Sequence, residues 1–367
     1  MDQERIYFLA LHLVPGVGDI LIKQLISYCG SAQEVFRQTR SRLLRIPGIG
    51  DVTTNAIING LSLDQAEKEL RRAEKEEVQI LCFTDPAYPN RLKSIDDAPS
   101  LLYVKGNTNL NHPRTVGIVG TRKATPYGRN CVEELVLGLV KHQVLVISGL
   151  AYGIDIHAHK EAIRQGLGTV AVLGSGIDVI YPLAHRETAL RMINHGALVT
   201  ENAFGTQPDA HNFPQRNRII AGLCDALVVV EAGDKGGALI TAEIANTYNR
   251  DVFAIPGNIH NPYSLGCNRL IKTNKASLLT SAKDLEYIMN WTEDQAQKTA
   301  QLALELGDLS DEERSVLSLM RTKKRSLSID ELAYLTQLPQ GNLSSLLLSL
   351  EFKNRVVALP GKIFAPR

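Results

Sequence analysis

Between about residue 78 and residue 280, short apolar runs alternate with longer stretches of helical periodicity. The runs at 78–83 (VQILCF), 115–120 (TVGIVG), 144–148 (VLVIS), 169–173 (TVAVL), 197–201 (ALVTE), 226–231 (ALVVVE), 251–255 (DVFAI) and 277–280 (SLLT) read as strands. Tyr127–His142 and Asp155–Gln165 carry apolar residues at i, i+3, i+4 and i+7 and read as amphipathic helices. Strands that stay apolar on both faces, separated by helices, predict a doubly wound, mostly parallel sheet of extended Rossmann-like α/β type. Residues 291–309 are acidic and lack Gly and Pro until Gly307, the pattern of a linker or linker helix. Beyond it the periodicity predicts helices at Asp311–Met320, Ile329–Thr336 and Asn342–Leu350, then two strands about the Pro360-Gly361 turn, a winged-helix layout. Leu343, Leu346, Leu347 and Leu350 have core spacing, and the third helix lacks the Arg and Lys of a DNA-reading helix, so this domain points to protein contact or a structural role.

The first 62 residues form a separate helical segment with an internal repeat. Leu13-Val14-Pro15-Gly16-Val17-Gly18 recurs as Arg45-Ile46-Pro47-Gly48-Ile49-Gly50, each copy followed by a polar residue and a helix-like stretch. Such hairpins allow a tight turn and leave the next helix's first NH groups free to take a phosphate oxygen. The segment resembles helix-hairpin-helix modules or a sterile-alpha-motif-like unit, with DNA contact and plain packing both open. The expected domains are therefore 1–62 (helical), 63–290 (Rossmann-like core), 291–309 (linker) and 310–367 (winged helix).

Composition narrows the function classes. With 44% apolar and 22% charged residues the chain is an ordinary globular one. A net charge of +1 supplies no bulk polycation, so any polyanion must be held locally. No apolar run approaches the roughly 18 residues of a membrane span, and the mixed-charge start Met1-Asp2-Gln3-Glu4-Arg5 lacks the shape of a secretory signal, which makes a cytoplasmic protein without membrane contact the expectation. The five cysteines are dispersed and form no CxxC pair, against a disulfide framework and a zinc ribbon alike.

In a doubly wound sheet ligands sit at the carboxyl ends of the strands. Here those ends are glycine-rich: Gly117-Ile118-Val119-Gly120-Thr121-Arg122, Ser148-Gly149-Leu150-Ala151-Tyr152-Gly153, Gly174-Ser175-Gly176, Gly233-Asp234-Lys235-Gly236-Gly237 and Pro256-Gly257-Asn258. Five such loops on one edge make a ring of exposed NH groups suited to anions. The dinucleotide fingerprint GxGxxG with its downstream acid is absent, as is GxxxxGK[ST], which disfavours NAD and a P-loop nucleotide site. Arg122, Arg216, Arg218 and Lys235 add fixed positive charge, and Phe213 and Tyr181 offer rings for an unpaired base. Asp155, His157 and His159 invite a metal, but only Asp155 and His159 share a helical face, so a carboxylate orienting a histidine is the preferred reading and no metal is expected. No GxSxG is present to support a nucleophile triad.

The motifs together are specific. Tyr88-Pro89-x-x-Leu92-x-x-Ile95-x-Asp97-x-Pro99-x-x-Leu102-Tyr103-x-x-Gly106 is followed by Val119-Gly120-Thr121-Arg122, Ser148-Gly149-Leu150-Ala151-x-Gly153-Ile154-Asp155-x-x-Ala158-His159 and Leu173-Gly174-Ser175-Gly176-Ile177-Asp178-x-x-Tyr181-Pro182. Phe213-Pro214-x-Arg216-Asn217-Arg218-Ile219-Ile220-Ala221-Gly222-Leu223, Gly237-Ala238-Leu239-Ile240-Thr241-Ala242 and Ile255-Pro256-Gly257 complete the set. The sequence resembles the DprA (Smf) family of DNA-processing proteins of natural transformation, densely over about 78–285. The resemblance implies a homodimeric, non-enzymatic, cofactor-free protein that binds and protects single-stranded DNA and delivers it to the recombinase RecA. It maps a DNA-binding arginine onto Arg122 and an FPxRNR element onto Phe213 to Arg218; with the glycine loops and Lys235 the expected DNA site is Gly120, Thr121, Arg122, Ser148, Gly149, Gly174, Ser175, Gly176, Phe213, Arg216, Asn217, Arg218, Lys235, Gly236, Gly237 and Thr241. One rival stays open: Gly236 to Glu243 is also similar to the PGGxGTxxE element of nucleoside-monophosphate phosphoribohydrolases, where Glu243 would act on ribose. Against it, Ile240 replaces the second Gly and Lys235 the Pro.

Overall fold

The computed structural model describes residues 3–60, 63–291, 309–323, 326–353, 355–359 and 362–366. The chain divides into two compact units, Met1–Asn290 and Trp291–Arg367.

The first unit opens with six helices, α1 (Gln3–His12), α2 (Asp19–Cys29), α3 (Ala32–Arg37), α4 (Arg40–Leu43), α5 (Asp51–Asn59) and α6 (Leu63–Lys75). The two repeat copies fold alike. Gly16 and Gly48 take φ of +80° and +76°, a region that only glycine enters without cost, and Val17 and Ile49 each donate to the carbonyl three residues back. Both hairpins then place a carboxylate at the start of the next helix, where a phosphate would have to sit. Asp51 pairs with Arg40, and Asp19 accepts from the NH and hydroxyl of Ser100 at 2.7 and 2.6 Å and pairs with Arg218. Asp19 thus ties the first hairpin to the sheet domain. Phe8, Leu9, Ile22 and Leu25 share one apolar core with Ile80, Tyr103 and Leu198, so the helical segment is a layer on the sheet domain.

The sheet domain continues with β1 (Val78–Cys82), α7 (Asn90–Lys93), β2 (Leu101–Gly106), β3 (Thr115–Val119), α8 (Pro126–Leu139), β4 (Leu145–Ser148), α9 (Ile154–Arg164), β5 (Thr169–Val172), α10 (Arg186–His195) and β6 (Gly196–Thr200). Then come α11 (Asn212–Leu223), β7 (Ala226–Val229), α12 (Gly237–Thr247), β8 (Asp251–Ala254), α13 (Leu265–Lys272), β9 (Ser277–Leu278) and α14 (Ala282–Ile288). All eight expected strands are present. A ninth, β2, pairs antiparallel with both β1 and β6.

The order is β1-β2-β6-β5-β4-β3-β7-β8-β9, parallel from β6 to β9. From β3 the chain winds outward through β4, β5 and β6, then returns to β7 on the other side of β3 and winds the opposite way. The crevice between the carboxyl ends of β3 and β7 is therefore the topological switch point, where doubly wound sheets bind ligands. Buried strand residues such as Val116, Ile118, Val146, Val170 and Val228 cover both faces, which is why these runs show no polar alternation.

The second unit holds α15 (Asp311–Lys323), β10 (Leu327–Ser328), α16 (Ile329–Thr336), α17 (Gln340–Phe352), β11 (Val356–Leu359) and β12 (Ile363–Pro366), with strand order β10-β12-β11. Leu343, Leu347 and Leu350 of α17 are buried with Val316, Met320 and Leu332, and Leu346 packs against them. The expected linker lies almost wholly in 292–308, outside the described residues, as does the Pro360-Gly361 turn.

Candidate nucleic-acid interface

A cavity of about 790 Å³ opens at the switch point. It is walled by the loop after β3 (Gly120, Thr121, Arg122), the start of α9 (Asp155), Tyr181, the start of α11 (Phe213, Arg216, Asn217) and the loop from β7 into α12 (Lys235, Gly236, Gly237, Thr241). Its shape comes from local bonds. Buried Glu231, just past β7, accepts from the NH and hydroxyl of Thr125 at 2.9 and 2.6 Å, and Thr125 caps α8. Thr121 NH donates to Glu231 O at 2.7 Å. The two switch-point loops are thereby pinned to each other.

Charge is concentrated in this space. Arg122 and Lys235 are exposed, and neither has an ion pair among the described residues. The N-terminus of α12 adds its unpaired first amides. Arg216 forms the floor, only 6% exposed. Its guanidinium donates to Gly149 O at 2.5 Å and to Val172 O, while its Nε has no partner among the described residues. Burial brings its pKa down to about 10, opposed by Asp155 and helped by Arg122. Asp155 is likewise only 6% exposed, and burial raises its pKa against the pull of Arg216 and the NH groups of Ala151 and Gly149. The guanidinium carbons of Arg122 and Arg216 lie 5.8 and 6.0 Å from the centre of the Phe213 ring.

Ten of the sixteen sequence-predicted residues meet here: Gly120, Thr121, Arg122, Phe213, Arg216, Asn217, Lys235, Gly236, Gly237 and Thr241. The other six stand behind the cavity or away from it. Ser148 donates to Ile118 O at 2.6 Å, and Gly149 lies under the Arg216 guanidinium, where a Cβ would come within 2.5 Å of it. Gly174 leaves room for the Phe213 ring, Ser175 donates to Val179 O and Gly176 NH bonds Thr206 O. Arg218 turns to the opposite side of α11 and bonds Asp97 O, Glu201 and Asp19. So, of the expected five glycine loops, the two at the switch point supply most of the lining, and the loop after β4 adds Ala151. Pro208, Ala210 and Ile240 also line the cavity and carry no sequence signal of their own.

Two further expectations change. Asp155 is held by the NH groups of Ala151 and Gly149 in the field of Arg216, not by His159, whose Nδ1 lies 2.7 Å from Thr169 Oγ1. Because that hydroxyl donates to Val146 O, it must accept from His159. Glu243, the acid of the hydrolase reading, is exposed outside the cavity and pairs with Lys275 at 2.7 Å. Among the described residues no group of three His, Cys, Asp or Glu could hold a metal, and no helix is long and apolar enough to cross a membrane.

These features define a class, the Rossmann-like proteins with an electropositive cavity at the switch point. Within it, the chain belongs to the DprA/Smf family: residues 79–290 match the family model of DNA recombination-mediator protein A, and 298–362 match that of the DprA winged helix domain. Protein Smf of Synechocystis sp. is 37% identical over 290 residues, 77% of this chain and 72% of the relative. The X-ray structure of DNA processing protein A from Streptococcus pneumoniae superposes with a TM-score of 0.68 at 34% identity, covering 78% of this chain and 97% of that one. The Helicobacter pylori DNA processing protein A, whose structure was described for its single-stranded DNA binding mode, superposes at 0.53 with 26% identity, covering 58% and 95%.

Proposed function

We propose that this chain binds single-stranded DNA in the switch-point cavity as a recombination mediator of DNA processing, without chemical turnover. The observation that carries the reading is the pair of exposed, ion-pair-free cations, Arg122 and Lys235, lining one nucleotide-sized space. Their charge and the α12 amides supply phosphate contacts, and Phe213 and Tyr181, with ring centres 5.8 Å apart at 40°, supply a face for a base. Rings this close already touch, so they form one platform and not a slot. Only an unpaired base can turn its face onto such a platform, which sets single strands apart from duplex.

The hydrolase alternative is disfavoured by the engagement of Glu243 with Lys275 outside the cavity. Homodimerisation and delivery of the strand to RecA belong to the same proposal and rest on family membership; two cavities on one strand would raise avidity. A cytoplasmic location fits the five free cysteines. The domain division is proposed as a core of 63–290 carrying the helical layer and a winged-helix unit of 310–367.

The test is fluorescence anisotropy with a labelled oligonucleotide, competed by unlabelled single-stranded or duplex DNA of the same sequence. Single strands are expected to compete at much lower concentration; equal competition overturns the reading.

A further inference from the structure

The cavity adjoins a second aromatic surface formed by the loops after β4 and β5. A small notch of about 30 Å³ is lined by Gly149, Tyr152 and Pro182 together with Arg122, Tyr181 and Phe213, and the last three also wall the main cavity. The two spaces thus adjoin each other. The notch is far too small for a base, so a ligand here must lie on the rings that border it. Tyr152 and Tyr181 are each 49% exposed, and among the described residues neither hydroxyl makes a hydrogen bond. Tyr152 is nonetheless fixed from beneath: its ring meets the buried His185 ring edge-on at 4.8 Å and 71°, and His185 Nδ1 is held 2.8 Å from Leu150 O. It also projects from the loop that carries Gly153, the φ +80° residue packed against Thr121 and Arg122, so its backbone is tied to the cation of the main cavity.

We propose that Tyr152 is a second base-stacking subsite, which takes an unpaired base of the same strand beyond the one on the Phe213–Tyr181 platform and thereby directs the strand across the carboxyl ends of β4 and β5. The inference rests on the single-strand reading of the main cavity. A rigid, half-exposed ring beside an electropositive cavity is the feature that sequence-tolerant strand binders use, because every base has a π-face. Arg122 lines both spaces and would take the phosphate that joins the two nucleotides. Tyr152 occupies the position left open in the Ser148-Gly149-Leu150-Ala151-x-Gly153 pattern, so the subsite is a property of this sequence and not of the motif.

The experiment uses the full chain and thymidine oligonucleotides of increasing length, comparing the wild type with Tyr152→Ala, Tyr152→Phe and Arg122→Ala. Tyr152→Ala is expected to leave the shortest bound oligonucleotides unaffected and to weaken longer ones by roughly fivefold or more, the range of one lost base stack, while Tyr152→Phe keeps wild-type affinity. In the wild type, 5-iodouracil placed one position at a time is expected to cross-link to Tyr152 from a position other than the one that cross-links to Phe213. No effect of Tyr152→Ala, an effect equal at every length, or no cross-link to Tyr152, with Arg122→Ala still weakening every length, overturns the subsite alone and leaves the exposed rings to a protein partner. No effect of Arg122→Ala at any length overturns the cavity reading beneath it.

Discussion

Replacing Arg216 by methionine separates two roles that the sequence left together, phosphate ligand and structural floor. The substitution keeps most of the side-chain volume but removes the charge. Gly149 O and Val172 O lose a charged donor, and buried Asp155 loses a nearby opposite charge. Leaving two buried carbonyls without their charged donor costs about 1–3 kcal/mol each, and the lost attraction to Asp155 adds to it. On a total of about 5–15 kcal/mol this is a large fraction. Urea unfolding followed by circular dichroism measures it, and pH adds a second signature. Burial raises the Asp155 pKa, and losing Arg216 raises it further. A raised carboxyl contributes stability at low pH that is lost as pH rises, so the variant's deficit should be greater at pH 8 than at pH 5. The double variant Asp155→Asn/Arg216→Met should recover part of the loss. A deficit under about 1 kcal/mol, independent of pH, would refute the floor assignment and return Arg216 to the role of a direct phosphate ligand.

Two other perturbations test the scaffold around the site. Glu201 shares Arg218 with Asp19 and the Asp97 carbonyl near Lys23, Tyr88, Asp96 and Tyr248, and burial outweighs that single guanidinium, lifting its pKa from 4.5 to about 7. Its stabilising contribution is present below pH 4.5 and lost as pH rises through 7, so the stability of the wild type relative to Glu201→Gln should fall by up to about 3 kcal/mol over that window; parallel melting-temperature profiles would contradict this. At Gly153, with φ at +80°, an alanine Cβ would come within 2.1 Å of Thr121 O and 2.6 Å of the Arg122 carbonyl carbon. Gly153→Ala should therefore lower the melting temperature by the equivalent of about 1–3 kcal/mol of backbone strain and weaken DNA binding through a displaced Arg122, and wild-type values of both would count against the loop geometry.

The parallel strands were legible because burial on both faces writes itself into consecutive apolar residues such as Ala226, Leu227, Val228 and Val229, whatever their partners. Strand β2 was not, since Leu101 to Val104 reads as one more apolar run and its antiparallel pairing with β6 is fixed by residues almost a hundred positions away. Which glycine loops reach the cavity depends on β3 and β7 being neighbours, a fact of winding order that no local spacing carries. Arg216 and Arg218 show the same limit at single-residue scale. Two positions apart on α11, they face different sides, and their partners, Gly149 O and Asp97 O, lie 67 and 121 residues away in sequence. Arg122 and Lys235 line the cavity, as the sequence led one to expect, because each adjoins a switch-point glycine loop and no ion pair among the described residues draws it elsewhere.

The central claim is that Arg122 and Lys235 hold the phosphates of a single strand in the switch-point cavity. Single-stranded DNA affinity measured across salt for the wild type and for Arg122→Ala/Lys235→Ala tests it most directly. Each lost phosphate contact removes about 0.7 from the slope of log affinity against log salt, so the double variant should bind more weakly with a slope shallower by about 1.4. An unchanged affinity and slope would contradict the account.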